Sequence, residues 1–185
     1  MNQAKTYDGA PMSGALPPFL ELSQAAHREL SLTGRLMVAS MPRLASALVS
    51  SRGEANVTLH VARDLSGRTV TSGHIEAEIE MTCQRCLNGV RIAVRAEPRL
   101  AWVKSDSEAE ALPPEYEPLV STDGHIAIVD LVADELLLAL PLVPKHGDGT
   151  ACEMKMVASA LEAPSTVEER RKNPFAELAK LKRGR

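Results

Sequence analysis

Ser72–Val103 reads SGHIEAEIEMTCQRCLNGVRIAVRAEPRLAWV. Its first arm alternates Ile75, Ala77, Ile79 and Met81 with Glu76, Glu78 and Glu80. Its second arm alternates Val90, Ile92, Val94 and Ala96 with polar or small residues, and Leu100 and Trp102 continue beyond Pro98. A period of two, apolar on one side and polar on the other, marks antiparallel strands with one wet face. Between the arms lies MTCQRCLNG, Met81–Gly89. The segment therefore predicts a β-hairpin tipped by Cys83 and Cys86, with Gly89 helping the chain turn back.

Working outward, NVTLHVARD alternates Val57, Leu59 and Val61, and Gly67 in DLSGRT suits a hairpin turn into the next strand. Leu30, Leu32, Leu36 and Val38 predict a further strand with Gly34 on its apolar face. LELSQAAHREL before it has the spacing of a short helix. Ser40 is the expected cap of a helix with Pro42 in its first turn. HIAIVD predicts a short strand, and Asp130 the cap of a helix through LVADELLLALP that Pro141 stops. The expectation is an α+β fold: a single domain with a curled antiparallel β-sheet and a few short helices, over residues 19–152. A flexible lead-in, residues 1–18, precedes it, and a linker and basic arm, 153–185, follow. Within the arm Asn173 and Pro174 have the form of a helix start.

The 185 residues suffice for one good core. No apolar run reaches bilayer length, and the first residues show no basic and apolar leader pattern, so the cytoplasm is the expected location. Aromatic residues make up only 3%, which disfavours a base-stacking surface for single-stranded nucleic acid. Charge is unevenly placed. Ser105–Pro144 holds nine acids and no lysine or arginine, whereas residues 170–185 hold seven basic side chains against Glu177. The expectation is an acidic body with a tail suited to polyanions.

Three cysteines do not make a disulfide framework, and in the cytosol a CxxC pair points to metal or redox chemistry. A redox pair gains its low thiol pKa from a helix N-terminus, which a hairpin tip lacks. A hairpin tip does suit two thiolates sharing a tetrahedral zinc ion. The remaining half of such a site is available only in KHGDGTAC, so the candidate ligands are Cys83, Cys86, His146 and Cys152, for one structural zinc. The other reading leaves the cysteines as reduced thiols and His146 as a solvated loop residue.

TCQRCL at Thr82–Leu87, EALPPEYEPL at Glu110–Leu119, LVADELLLALPLVPKH at Leu131–His146, Cys152 and KNPFAELAKLK at Lys172–Lys182 occur in one order. In these stretches the chain resembles the YceD family, the large ribosomal RNA subunit accumulation proteins. The resemblance covers most of the chain from about Thr82 onward, and the first 50 residues fit only loosely. It implies a non-enzymatic bacterial or plastid factor needed for accumulation of 23S ribosomal RNA, often encoded beside a large-subunit ribosomal protein. Some relatives carry additional cysteines where this chain has HGDGTAC, a departure that leaves His146 and Cys152 as its only donors there.

The expected contact with RNA or a large-subunit assembly particle is the tail: Arg170, Arg171, Lys172, Lys180, Lys182, Arg183 and Arg185 can engage phosphates by releasing counterions. Phe175, Leu178 and Leu181 share one helical face there, for docking on a partner or on the protein's own core. SDSEAEALPPEYEP would repel phosphate; it reads as a solvated, extended segment or as a landing site for a basic ribosomal protein. Neither GxSxG, HExxH nor a phosphate loop occurs, and the histidines stand at no telling spacing from a carboxylate, so no enzyme is expected. A CxxC thiol oxidoreductase is the remaining alternative.

Overall fold

The computed structural model describes residues 12–147 and Cys152. The chain divides into two compact units, Met1–His146 and Gly147–Arg185, and the described residues belong to the first apart from Gly147 and Cys152. In chain order the elements are β1 (Met12–Gly14), β2 (Phe19–Glu21), α1 (Leu22–His27), β3 (Leu30–Met37), α2 (Pro42–Ala45) and β4 (Glu54–Arg63). There follow β5 (Thr69–Thr82), β6 (Gly89–Ala96), β7 (Arg99–Val103), α3 (Asp106–Glu110), β8 (Glu117–Val120), β9 (His125–Ala127) and α4 (Ile128–Leu138).

The spine is β5, 14 residues long. β4 runs antiparallel along one of its sides. On the other side two strands share it end to end: Arg99–Ala101 of β7 against Val70–Ser72, and β6 against Ile75–Thr82. Glu97 and Pro98 make the step between them, and the Pro98 carbonyl accepts from the Gly73 amide at 3.3 Å. The seven-stranded open sheet is completed by β3 and β1 beyond β4 and by β8 beyond β7; β2 and β9 form a separate antiparallel pair.

Alternation along the central strands decides which face is inside. Ala55, Val57, Leu59 and Val61 of β4, Ile75, Ala77 and Ile79 of β5 and Val94 and Ala96 of β6 are buried in one core. Full burial of each valine, leucine or isoleucine among them is worth about 1.5–3 kcal/mol. Helices cover this face. α4 buries Ile128, Leu131, Val132, Ala133 and Leu136, a stripe at helical spacing. α1 buries Leu22, Ala25 and Ala26. The opposite face is polar, with Asn56, Thr58, His60, Glu78, Arg91 and Arg95 exposed.

The α+β class is as expected, but the sheet is not wholly antiparallel: β1 pairs parallel with β3, and β8 with β7. The crossover from β7 to β8 contains α3, and parallel neighbours need such a long connection. Part of the expected lead-in, Met12–Gly14, is β1 itself. Gly34 makes that pairing possible, because a Cβ there would lie 2.5 Å from the Gly14 carbonyl oxygen.

Two expected caps are corrected. Ser40 donates its hydroxyl to the Met37 carbonyl, closing a 3-10 turn, and α2 starts after Met41 instead. α4 starts at Ile128 with Ala127 as its cap residue, which puts Asp130 in the first turn, where a carboxylate faces the positive helix end. The acidic segment is also not wholly extended. The Ser105 hydroxyl accepts from the Glu108 amide while the Glu108 carboxylate accepts from the Lys104 amide at 2.8 Å, and this reciprocal capping starts α3. Among the described residues no helix is long and apolar enough to cross a membrane. Asn173 and Pro174 lie outside the described residues.

Candidate metal centre

The hairpin tip between β5 and β6 is held by two backbone bonds: the Cys83 amide donates to Asn88 at 2.8 Å, and the Leu87 amide to Cys83 at 2.9 Å. Leu87 takes the left-handed conformation, φ +61°. This residue, not Gly89, reverses the chain; Gly89 already pairs with Thr82 in the first rung of the sheet. The turn aims amides inward. Cys83 has no exposed surface. Burial would push its thiol pKa up, but the amides of Cys86, Arg85 and His146 and the His146 ring hydrogen-bond its sulfur and bring it down to about 5. A thiolate at neutral pH follows. The electrostatic help that a hairpin tip was expected to lack is supplied by the turn's own backbone.

The stretch after α4 runs back to this tip. Gln84 donates its amide to the Pro144 carbonyl at 2.8 Å, and Arg85 its guanidinium to the His146 carbonyl at 3.4 Å. The His146 ring then bridges the hairpin: Nε2 lies 3.1 Å from the Gly89 carbonyl, and Nδ1 lies 3.6 Å from the Cys86 sulfur. A carbonyl only accepts, so Nε2 donates its proton to Gly89, and Nδ1 is the nitrogen turned toward Cys86. Ring orientation by a backbone carbonyl behind the coordinating nitrogen is the common second layer of metal-bound histidine.

The ligand atoms of Cys83, Cys86, His146 and Cys152 all lie within 4.8 Å of one another. Cys83 and Cys152 are buried, and Cys86 and His146 are half-buried. The four residues picked out by sequence spacing are therefore together, and the group could hold a metal ion. What spacing did not reveal is the supporting shell: the Gly89 carbonyl, the Leu87 turn and the amides on Cys83. Backbone groups carry no side-chain signature, so no residue letter announces them.

The remaining expected sites fare differently. Arg170, Arg171, Lys172, Phe175, Leu178, Lys180, Leu181, Lys182, Arg183 and Arg185 lie outside the described residues. Asp106, Glu108 and Glu110 are exposed on α3, and Glu115 and Glu117 are exposed beyond it. Two histidines do meet carboxylates: His125 lies 3.9 Å from Asp123, and His74 Nε2 is 2.9 Å from Glu76, whose other partner is Arg95 at 2.8 Å. The hydrogen bond from His74, with the Arg95 charge adding to it, holds the Glu76 carboxyl below its usual range. The His74–Glu76 pairing joins residues two apart along β5 on its polar face, a spacing that sequence reasoning passed over.

Comparison with known proteins fits this arrangement. The model of the family described as Large ribosomal RNA subunit accumulation protein YceD matches residues 71–182, from β5 through all four candidate ligands to the basic tail. The chain belongs to the YceD family. A family member from Haemophilus influenzae, named Large ribosomal RNA subunit accumulation protein YceD, is 32% identical over 168 residues, which are 90% of this chain and 96% of that protein. Similarity to YceD proteins thus extends into the N-terminal strands, beyond the span of the family model. No solved structure matches the chain.

Proposed function

We propose that this chain is a non-enzymatic ribosome-biogenesis factor of the cytoplasm that supports accumulation of 23S ribosomal RNA and assembly of the large subunit. The observation that carries this reading is family membership at nearly full length, in a family named for that role. The protein binds the RNA or an early assembly particle through Arg170, Arg171, Lys172, Lys180, Lys182, Arg183 and Arg185, whose phosphate contacts release counterions. Phe175, Leu178 and Leu181 add an apolar contact with the particle.

Cys83, Cys86, His146 and Cys152 hold one structural zinc. Three soft sulfurs and an imidazole suit that ion, and bonds of about 2.0–2.3 Å give tetrahedral edges of roughly 3.3–3.8 Å. The 3.6 Å between Cys86 and His146 already has that length. Metal analysis of protein purified without chelator should find one zinc per chain, lost in Cys152→Ser; a metal-free folded protein would exclude the ion.

Sedimentation of the tagged chain in extracts of growing cells tests the main reading. Large-subunit precursors should co-migrate with it, and removal of residues 170–185 should weaken the association and flatten its salt dependence. An unchanged affinity and salt slope would remove the arm from the mechanism. A second reading is favoured by α3, which buries none of its residues and exposes its acids: a landing site for a basic ribosomal protein. Neutralising Asp106, Glu108, Glu110, Glu115 and Glu117 would then release that protein, whereas binding through the arm would hold or improve.

A further inference from the structure

The outer edge of β6 has no strand beside it among the described residues. At eight residues it exceeds the outermost strands at the two ends of the sheet, β1 with three and β8 with four. Which of its backbone groups point outward follows from the register. Cys83 donates to Asn88, the pair next to Thr82–Gly89, so hydrogen-bonded pairs recur at every second rung: Met81–Val90, Ile79–Ile92, Ala77–Val94 and Ile75–Ala96. The amides and carbonyls of Gly89, Arg91, Ala93 and Arg95 then face away from β5. Two other bonds agree with this phase. His146 reaches the Gly89 carbonyl from outside, and Val49 reaches the Glu80 carbonyl on the opposite side of β5.

With Gly89 occupied by His146, three outward residues remain: Arg91, Ala93 and Arg95, all with exposed side chains. Their side chains point to the polar face, so a strand added here would set its own alternate side chains beside two guanidiniums. On the other flank the protein has solved the same pairing with acids. Glu80 lies opposite Arg91 and Glu76 opposite Arg95 in β5. Arg95 touches Glu76 at 2.8 Å, but Arg91 comes no nearer than 4.0 Å to Glu78, leaving donors open. A second copy of the chain is the wrong occupant. A two-fold pairing centred on Ala93, which uses all three positions, would set Arg91 opposite Arg95 of the other copy, and like charges directly opposed repel.

We propose that the β6 edge binds an extended segment of a partner protein that carries acidic residues at alternate positions and apolar ones between them. Main-chain bonds to Arg91, Ala93 and Arg95 supply the docking, as in other cases of strand addition. The two arginines select the acids. Ala93, the smallest side chain of the three, lets the incoming strand approach. The site uses none of the arm's residues, so its failure would leave the RNA reading intact.

The probe is a synthetic nonapeptide alternating glutamate and valine, with a lysine–valine counterpart, added to the full chain and followed by amide hydrogen exchange in NMR. The acidic peptide should slow exchange at Arg91, Ala93 and Arg95 at least tenfold at saturation, and should bind about tenfold more tightly than the basic one. The double variant Arg91→Glu with Arg95→Glu should reverse that preference. Ala93→Pro should abolish binding, and an edge position with an outward amide tolerates proline. Three results would overturn the proposal: no slowing at those amides in the unmodified chain, equal binding of the two peptides, or acidic-peptide binding that survives Ala93→Pro as mere charge attraction would.

Discussion

If the four candidate ligands hold the proposed zinc ion, stripping it with a chelator is expected to lower the melting temperature by about 8–16 °C. The magnitude comes from the loop the ion closes. Cys83 and Cys86 are neighbours along the chain, as are His146 and Cys152, so the dominant cross-link joins Cys86 to His146, 60 residues apart. A cross-link closing about 60 residues removes chain entropy from the unfolded state worth about 4 kcal/mol at 25 °C. At roughly 2–4 °C per kcal/mol for a chain of this size, the stated range follows. The folded state contributes little to the difference, because Gln84, Arg85 and Gly89 hold the 144–146 stretch against the hairpin without help from a metal. Circular dichroism melts with and without chelator, with zinc added back, measure the shift. His146→Ala should melt with the chelated protein and ignore the chelator. A shift below about 2 °C on complete removal of a bound metal would refute the loop argument.

Other substitutions probe the scaffold. A Cβ at position 73 would lie 2.1 Å from the Thr58 carbonyl oxygen, inside the sheet, so Gly73→Ala should cost about 3 kcal/mol or more in denaturant unfolding. Leu87→Gly should gain about 1 kcal/mol, because the left-handed turn there costs any residue with a Cβ; a loss of particle association in the same variant would show that the exposed leucine is a contact. Burial first, and then the Glu117 and Asp134 charges, raise the Glu135 carboxyl pKa above its ordinary 4.5. Folding then takes up a proton just above pH 4.5, and stability falls as pH rises through that window. Glu135→Gln should therefore melt higher at pH 7 and match the parent at pH 4. A gain that persists at pH 4 would point to another cause.

Sequence patterns carried far where side chains alone set the outcome. Ile75, Ala77 and Ile79 in β5 and Val57, Leu59 and Val61 in β4 announce their face, because a half-buried strand must alternate. The four candidate ligands were legible for a similar reason: few other residues in the chain carry those donors. β1, β2 and β8 were harder, being three or four residues each and held by partners distant in sequence. Their parallel or separate pairing depends on backbone proximity that no short window contains. The caps failed for a related reason. Ser40 and Asp130 each have the right chemistry for a cap, but the bond goes to whichever amide or carbonyl tertiary packing brings near. The Ser105–Glu108 capping box, by contrast, was written plainly in the sequence and was obscured by its acidic setting.

β5 serves three neighbours at once, and this limits where the chain can change length. Inserting or deleting one residue within Thr69–Thr82 would rotate every following side chain to the opposite face, breaking rungs with β4 and with β6 or β7 together. Length variation among related chains should therefore gather at the Asp64–Arg68 turn and spare the spine. The same argument makes β5 a ruler: it fixes how far the cysteine turn stands from the β7 end of the sheet, whatever the loops around it do.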